Sequence, residues 1–198
     1  MSDIHSKKIL VLYGTKEGQT EKIARAIAAE IRRAGHVVDL IDAEEAPATF
    51  DPEDYDGAIL GSPVHMSSFT PAVRAWVRSN GRALAKVPTA FFSVCLGILQ
   101  KEDEKTQKAE RQIVEDFFTK SGWRPQEWTI FAGALTYSKY DWFTRQIMKM
   151  IVSKAGGDTD SSRDYEYTDW SEVQRFAQKF ATLVAGRPPL SRQPAVGM

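Results

Sequence analysis

Cysteine is almost absent from this 198-residue chain; Cys95 is the only one, which excludes an intrachain disulfide and fits a reducing compartment. Surplus charge is absent too. Lys plus Arg and Asp plus Glu stand at 26 each, so the overall balance advertises neither nucleic acid nor a generally acidic partner. No apolar run approaches the roughly 20 residues needed to cross a bilayer, and Met1 to Ser6 carries no signal-peptide pattern, so the expected location is cytoplasmic or on a membrane from that side. Two familiar phosphate motifs are missing as well: the Gly-Lys-Ser/Thr ending that places metal and triphosphate, and the three spaced glycines of dinucleotide folds.

What is present is a chain with 42% hydrophobic residues, enough for one substantial core. Its patterning alternates strand and helix. An apolar run, Ile9 to Tyr13, leads through Thr15-Lys16-Glu17-Gly18-Gln19-Thr20 into Ile23, Ala24, Ile27, Ala28 and Ile31 at helical spacing, stopped by Ala34-Gly35. Val37 to Ile41 reads as a second strand and Gly57 to Ser62 as a short buried third. Pro71 opens a helix with Val73, Trp76 and Val77 inward. Thr89 to Cys95 is a fourth strand, Lys105 to Lys120 a helix with Ile113, Val114, Phe117 and Phe118 on one side, and Trp128 to Leu135 a fifth strand. Asp169 and Glu172 have capping-box spacing at the head of a last helix through Val184. The tail, 186–198, contains Pro188, Pro189 and Pro194 and is expected to be disordered. Five strands separated by helices make an α/β fold with a parallel sheet covered on both faces.

A strand that turns tightly into a helix leaves backbone N–H groups aimed at one spot, which suits a phosphate. Thr15 and Thr20 add hydroxyls, Gly18 lets the backbone approach, and Lys16 adds charge, so the first turn is read as a monophosphate cradle. The bland reading is an ordinary turn capped by Thr20. In such sheets ligands collect beyond the carboxyl ends of the strands. Two further segments end there: Ser62-Pro63-Val64-His65, whose loop continues to Thr70 and could lie against a flat ring, and Ser93-Val94-Cys95-Leu96-Gly97, which could offer backbone groups to the ring's polar edge.

Other residues carry weaker signals. His65 could donate to a bound ring or be a loop histidine without a task; Cys95 could touch the ligand or be buried and inert. Asp158 and Asp160 lack a third ligand and read as turn or cap residues, so no metal is expected. Asp42, Glu44 and Glu45 read as a solvated loop.

The first turn is similar to the flavodoxin phosphate signature, Thr/Ser-x-Thr-Gly-x-Thr, with Glu17 where a hydroxyl residue often stands. Taken with Trp123-Arg124-Pro125, Ala132-Gly133-Ala134-Leu135-Thr136-Tyr137, Gly156-Gly157-Asp158-Thr159-Asp160 and Tyr167-Thr168-Asp169-Trp170, it resembles the flavodoxin-like, quinone-dependent protoporphyrinogen oxidase family of bacteria, from about Lys8 to Val184. The resemblance implies a flavodoxin-like three-layer α/β/α sandwich with strand order 2-1-3-4-5 and an insertion after strand 5. On this reading residues 1–185 form the FMN-binding domain and 138–168 the insertion. It also implies FMN as cofactor, protoporphyrinogen IX as substrate and a membrane quinone, menaquinone or ubiquinone, as acceptor in haem synthesis. FMN contacts would come from Lys16 to Thr20 and from the stretch that begins near Ser93 and continues through the insertion before Gly156. No side chain stands out as acid, base or nucleophile, because the flavin carries the redox chemistry.

Within the insertion, Tyr140, Phe143, Ile147 and Ile151 repeat at helical spacing, and Lys139, Arg145, Lys149 and Lys154 are basic. Such a helix could meet an anionic membrane, wall the substrate, or pack on the sheet edge. Two rival functions share the fold. A flavodoxin-type electron carrier would present an acidic docking face, and an NAD(P)H:quinone oxidoreductase would need a second nucleotide pocket that no segment obviously supplies. A phosphate-receiver domain would want clustered aspartates after the first strand.

Overall fold

A computed structural model describes residues 6–47, 50–99, 104–135 and 164–187. Strands β1 (Lys8–Tyr13), β2 (Val37–Asp42), β3 (Gly57–Pro63), β4 (Thr89–Cys95) and β5 (Glu127–Ala132) form one parallel sheet in the order β2-β1-β3-β4-β5. All four pairings are parallel, and the register sets Tyr13 beside Asp42 and Gly61, Ser62 beside Ser93, and Cys95 beside Ala132. The carboxyl ends of the five strands thus align at one rim.

Both faces are covered because the central strands are apolar on both sides, as a buried parallel sheet requires. Helices α1 (Gln19–Arg33) and α4 (Trp170–Ala185) pack on one face around Ile9, Val11, Ile27, Phe92 and Phe180. Helices α2 (Pro71–Leu84) and α3 (Glu104–Ser121) cover the other around Leu10, Leu60, Trp76, Phe91 and Phe117. Gly61 is required where these layers meet the strand ends, since a Cβ there would collide with three ring atoms of Phe92.

The expected strand from Trp128 to Leu135 is divided. It leaves the sheet at Gly133, whose N–H donates to the Cys95 carbonyl (3.2 Å) and whose own carbonyl accepts from Tyr167 N–H (3.1 Å). Strand β6 (Ala134–Leu135) then pairs antiparallel with β7 (Tyr165–Glu166), a small sheet absent from the expected elements. A glycine within a strand marks such a bend, because the backbone can turn without a side chain to place.

At the head of α4, Asp169 caps as expected: its carboxylate accepts from Ser171 N–H (2.8 Å) and Glu172 N–H (3.3 Å). Of the expected tail, Gly186 and Arg187 are described, and the Arg187 carbonyl accepts from Lys7 Nζ (2.9 Å). The expected helix around Tyr140 to Ile151, the basic residues Lys139, Arg145, Lys149 and Lys154, and Asp158 and Asp160 lie outside the described residues. Among the described residues no helix is long and apolar enough to cross a membrane, and no three potential metal ligands cluster.

Candidate functional site

Three loops meet at the strand-end rim, and the first is built around Gly18. It is the N-cap of α1 with φ 98°, a left-handed conformation that glycine adopts without the strain a Cβ would bring, and among the described residues no side chain caps the helix. Thr20 is therefore the second residue of the helix and not its cap, which corrects the bland reading of this turn. The first bond of the helix runs from Lys22 N–H to the Gly18 carbonyl (3.0 Å), so the N–H groups of Gln19, Thr20 and Glu21 have no partner within the helix.

The side chains complete the cradle in different ways. The Thr15 hydroxyl oxygen accepts from Gly18 N–H (3.0 Å), folding the loop and leaving the hydroxyl proton to donate outward. Thr20 is buried on the inner side of α1, with no hydrogen bond to its hydroxyl among the described residues. Lys16 is exposed, and Glu17 and Gln19 are half-buried. Directly behind, Gly14 N–H donates to the Gly61 carbonyl (2.9 Å), and a Cβ on Gly14 would strike the Thr70 hydroxyl. This tie fixes the cradle against the second loop.

That second loop begins in β3. Ser62 is fully buried, and its Oγ accepts from Thr70 N–H (3.0 Å), joining the two ends of the loop. Pro63 ends the strand, and Val64 N–H still donates to the Val94 carbonyl (2.9 Å). From His65 the chain leaves the sheet in a two-residue hairpin closed by His65 N–H to Ser68 (2.8 Å) and Ser68 N–H to His65 (3.0 Å). Its central residues, Met66 (φ 49°) and Ser67 (φ 57°), are both left-handed, a conformation that usually calls for Asn or Gly. Holding two ordinary residues there costs on the order of 1 kcal/mol each, the kind of strain that concentrates at functional loops. His65 is exposed and Met66 stands 90% exposed at the rim.

In the third segment the structure separates residues that the sequence groups together. Ser93 and Val94 are inside β4, paired to Ser62 and Pro63 on one side and Ile130 and Phe131 on the other. Their backbone is committed to the sheet, and the Cys95 carbonyl accepts from Gly133. The chain leaves the ladder at Leu96 and forms a 3₁₀ turn over Gly97–Leu99. Leu96 and Gly97 are thus the residues of this segment placed at the rim. Gly97 packs directly on the Glu110 carboxylate, which would have to shift to admit a Cβ there.

Cys95 lies under that turn, 7% exposed. Burial, and then the Glu110 charge, push its thiol up to about 12. Burial likewise raises the Glu110 carboxyl. At neutral pH the thiol is protonated and closed off from reagents, so the inert reading of Cys95 is the one the geometry supports.

One contributor to the site falls in the segment Tyr167-Thr168-Asp169-Trp170, whose sequence gives it no role of its own. Thr168 joins three elements: its hydroxyl accepts from Gln19 Nε2 (2.8 Å) and donates to the Ala132 carbonyl (2.7 Å). Beside it Lys22 pairs with Glu166 and lies over the Trp170 ring at 5.2 Å. The head of α1 is therefore anchored to the end of β5 and to β7. Gln19 and Thr168 are 149 residues apart. Their neighbours show no pattern that would pair them.

Taken together, the loops offer a cluster of helix amino-end donors without partners in the helix, flanked by two strand-end loops able to enclose a flat ring. A flavodoxin domain family model matches residues 10–162. The chain is 32% identical over 178 residues to protoporphyrinogen IX dehydrogenase (quinone) of Escherichia coli K12, covering 89% of this chain and 96% of that one. It is 35% identical over 188 residues to the Leishmania major protein of the same name, covering 93% and 79%. Among solved structures, oxidised flavodoxin 1 from Bacillus cereus superposes with TM-score 0.52 at 17% identity, covering 88% of this chain and 97% of that one. A point-mutant flavodoxin from Pseudomonas aeruginosa superposes with TM-score 0.55 at 13% identity, covering 90% and 99%. At such low identity these structures support the fold alone.

Proposed function

The chain belongs to the flavodoxin-like family of quinone-dependent protoporphyrinogen IX dehydrogenases, a family of oxidoreductases, and from that premise we propose that it uses FMN to oxidise protoporphyrinogen IX to protoporphyrin IX. Electrons then pass to a membrane quinone, menaquinone or ubiquinone, as a step of haem biosynthesis. Residues 1–185 form the FMN-binding domain on this reading.

The observation that carries the proposal is the uncapped amino end of α1. Gly18 supplies the left-handed turn and no side-chain cap, and among the described residues the Thr20 hydroxyl has no partner. A phosphate monoester fits that donor set, with the helix dipole adding to it. Thr15 to Thr20 would hold the phosphate, while His65 with its neighbours and Leu96-Gly97 would flank the ring. When bound, the flavin supplies the redox step by taking hydrogen equivalents from the substrate and yielding electrons to the quinone. The protein contributes binding and orientation. Ser62 and Thr70 fix the second loop, Glu110 packs beneath the third, and Thr168 holds the head of α1.

The test is anaerobic. Protoporphyrinogen IX is expected to bleach the flavin absorbance of FMN-loaded protein, added quinone to restore it, and NADPH to leave it unchanged. Bleaching by NADPH alone would replace this reading with a reductase, and inertness to both donors with rapid exchange to a redox protein would replace it with an electron carrier. Attachment to the cytoplasmic face of the inner membrane belongs to the same proposal, supported by the basic run Lys139, Arg145 and Lys149. Neutralising all three should weaken partition onto anionic vesicles, and unchanged partition would remove the membrane role.

A further inference from the structure

A second concavity lies on the face of the sheet covered by α2 and α3, and the established family assignment gives it no task. It is a cleft of about 250 Å³ between those helices, roofed by the hairpin that follows β3. Ser67 and Ser68 of that hairpin line it, so it begins where the candidate flavin rim ends. Its inner wall is apolar, formed by Phe69, Ile113 and Phe117.

Charge distinguishes this cleft from an ordinary helix groove. Arg74 and Arg78 on α2 and Lys120 on α3 line it, with one carboxylate, Asp116. Asp116 is already engaged, accepting from Gln112 Nε2 (2.8 Å) and lying 3.9 Å from Lys120 Nζ. Arg74 and Arg78 have no side-chain partner among the described residues. They stand four residues apart on one face of α2, and Arg82 continues the row. Like charges at that spacing repel one another and destabilise a helix unless an anion lies between them. Two guanidinium forks facing an apolar wall are suited to a carboxylate whose stem is hydrocarbon.

We infer that this cleft is the docking site for the carboxylate arms of the substrate, with Arg74 and Arg78 pairing to them and Phe69, Ile113 and Phe117 covering their methylenes. The inference rests on the proposed function, which makes the substrate a cyclic tetrapyrrole bearing carboxylate side chains. The cleft is below the volume of a pocket for a whole drug-sized ligand. It therefore takes the arms and leaves the macrocycle outside, beyond the strained Met66–Ser67 turn and toward the rim. The turn's left-handed backbone brings Ser67 and Ser68 to the cleft mouth, where their hydroxyls can donate to the same carboxylates.

The test uses FMN-loaded protein and an inert porphyrin, so that it does not depend on turnover. Protoporphyrin IX and its dimethyl ester, in which both carboxylates are blocked, are titrated by fluorescence quenching. Wild type should bind the free acid about tenfold more tightly than the ester, the scale of one charge-assisted contact. In R74Q/R78Q that preference should vanish, with ester affinity and FMN affinity unchanged. R82Q removes one charge from the same row outside the cleft and should keep the preference, which separates local pairing from the general field of the helix. Equal binding of acid and ester by wild type would overturn the inference, as would a preference that survives in R74Q/R78Q or is lost in R82Q. A double variant that loses only its partition onto anionic vesicles would assign the arginines to lipid headgroups and overturn it too. Porphyrinogen oxidation without acid preference would defeat the cleft and keep the proposed function. Arginine-dependent acid binding without flavin bleaching would do the reverse.

Discussion

At Cys95 the environment decides the chemistry. The residue ends a buried strand beneath a loop at the site, a position from which an activated thiolate could touch a ligand. Burial is the largest influence and the Glu110 charge adds to it, so the thiol is pushed up to about 12 from an ordinary thiol value near 9. For an acid whose folded value is raised, the stabilising contribution is full below the unfolded value and is lost as pH rises from about 9 toward 12. Cys95 is expected to react with an alkylating reagent at pH 8 at least roughly 100-fold more slowly in the folded protein than in denaturant. Mass-spectrometric labelling rates check this, and comparable rates in the two states would refute the inert assignment. Met66 and Ser67 show the opposite case, residues whose identity gives no hint of the left-handed backbone they adopt. Two hydrogen bonds between His65 and Ser68 hold them there.

Among the elements, α1 and its anchors connect fold to function. The helix was legible in the sequence because its apolar stripe is complete: Ile23, Ala24, Ile27, Ala28 and Ile31 are all buried. Its attachment to the far end of the chain was not, because Gln19 and Thr168 meet only once β5 bends at Gly133 and β7 returns beside it. Thr168→Val keeps the shape and removes both hydrogen bonds of the hydroxyl. The loss is expected to be about 1–2 kcal/mol of stability, accompanied by weaker FMN binding as the head of α1 loosens. Urea unfolding and FMN titration measure the two effects. Stability and affinity both equal to wild type would show that Thr168 does not position the cradle. β5 teaches a related point. Apolar character continues from Trp128 to Leu135, yet Gly133 lets the last residues join a different sheet, so composition set the run and not its partner.

Over the whole molecule, the cradle, the two flanking loops and the sheet behave as one linked system, because the loops grow from adjacent central strands tied by Gly14 to Gly61 and by Val64 to Val94. A ligand that binds only this folded arrangement must stabilise all of it. FMN at about 100 times its Kd should add about 2.7 kcal/mol. For a chain of this size that raises Tm by roughly 5–10 °C. Thermal unfolding with and without FMN is the measurement, and a Tm indifferent to FMN would sink the cradle assignment and the function proposed from it.

The order of residues alone dictates the alternation of apolar runs and amphipathic stripes, and hence a parallel sheet with helices on both faces. It also dictates the glycine-and-hydroxyl turn that leaves α1 uncapped. These are local properties, set by period, by the absence of a Cβ at Gly18 and by residues adjacent in the chain. Folding in three dimensions was needed to sequester Ser93 and Val94 in the ladder while Leu96 and Gly97 reach the rim, to set Thr168 against Gln19, and to bring Arg74, Arg78 and Lys120 into one cleft. Each of these depends on which distant segments become neighbours. That choice is made by burying apolar surface across the whole sheet, and no period or spacing in the chain announces which segments will meet.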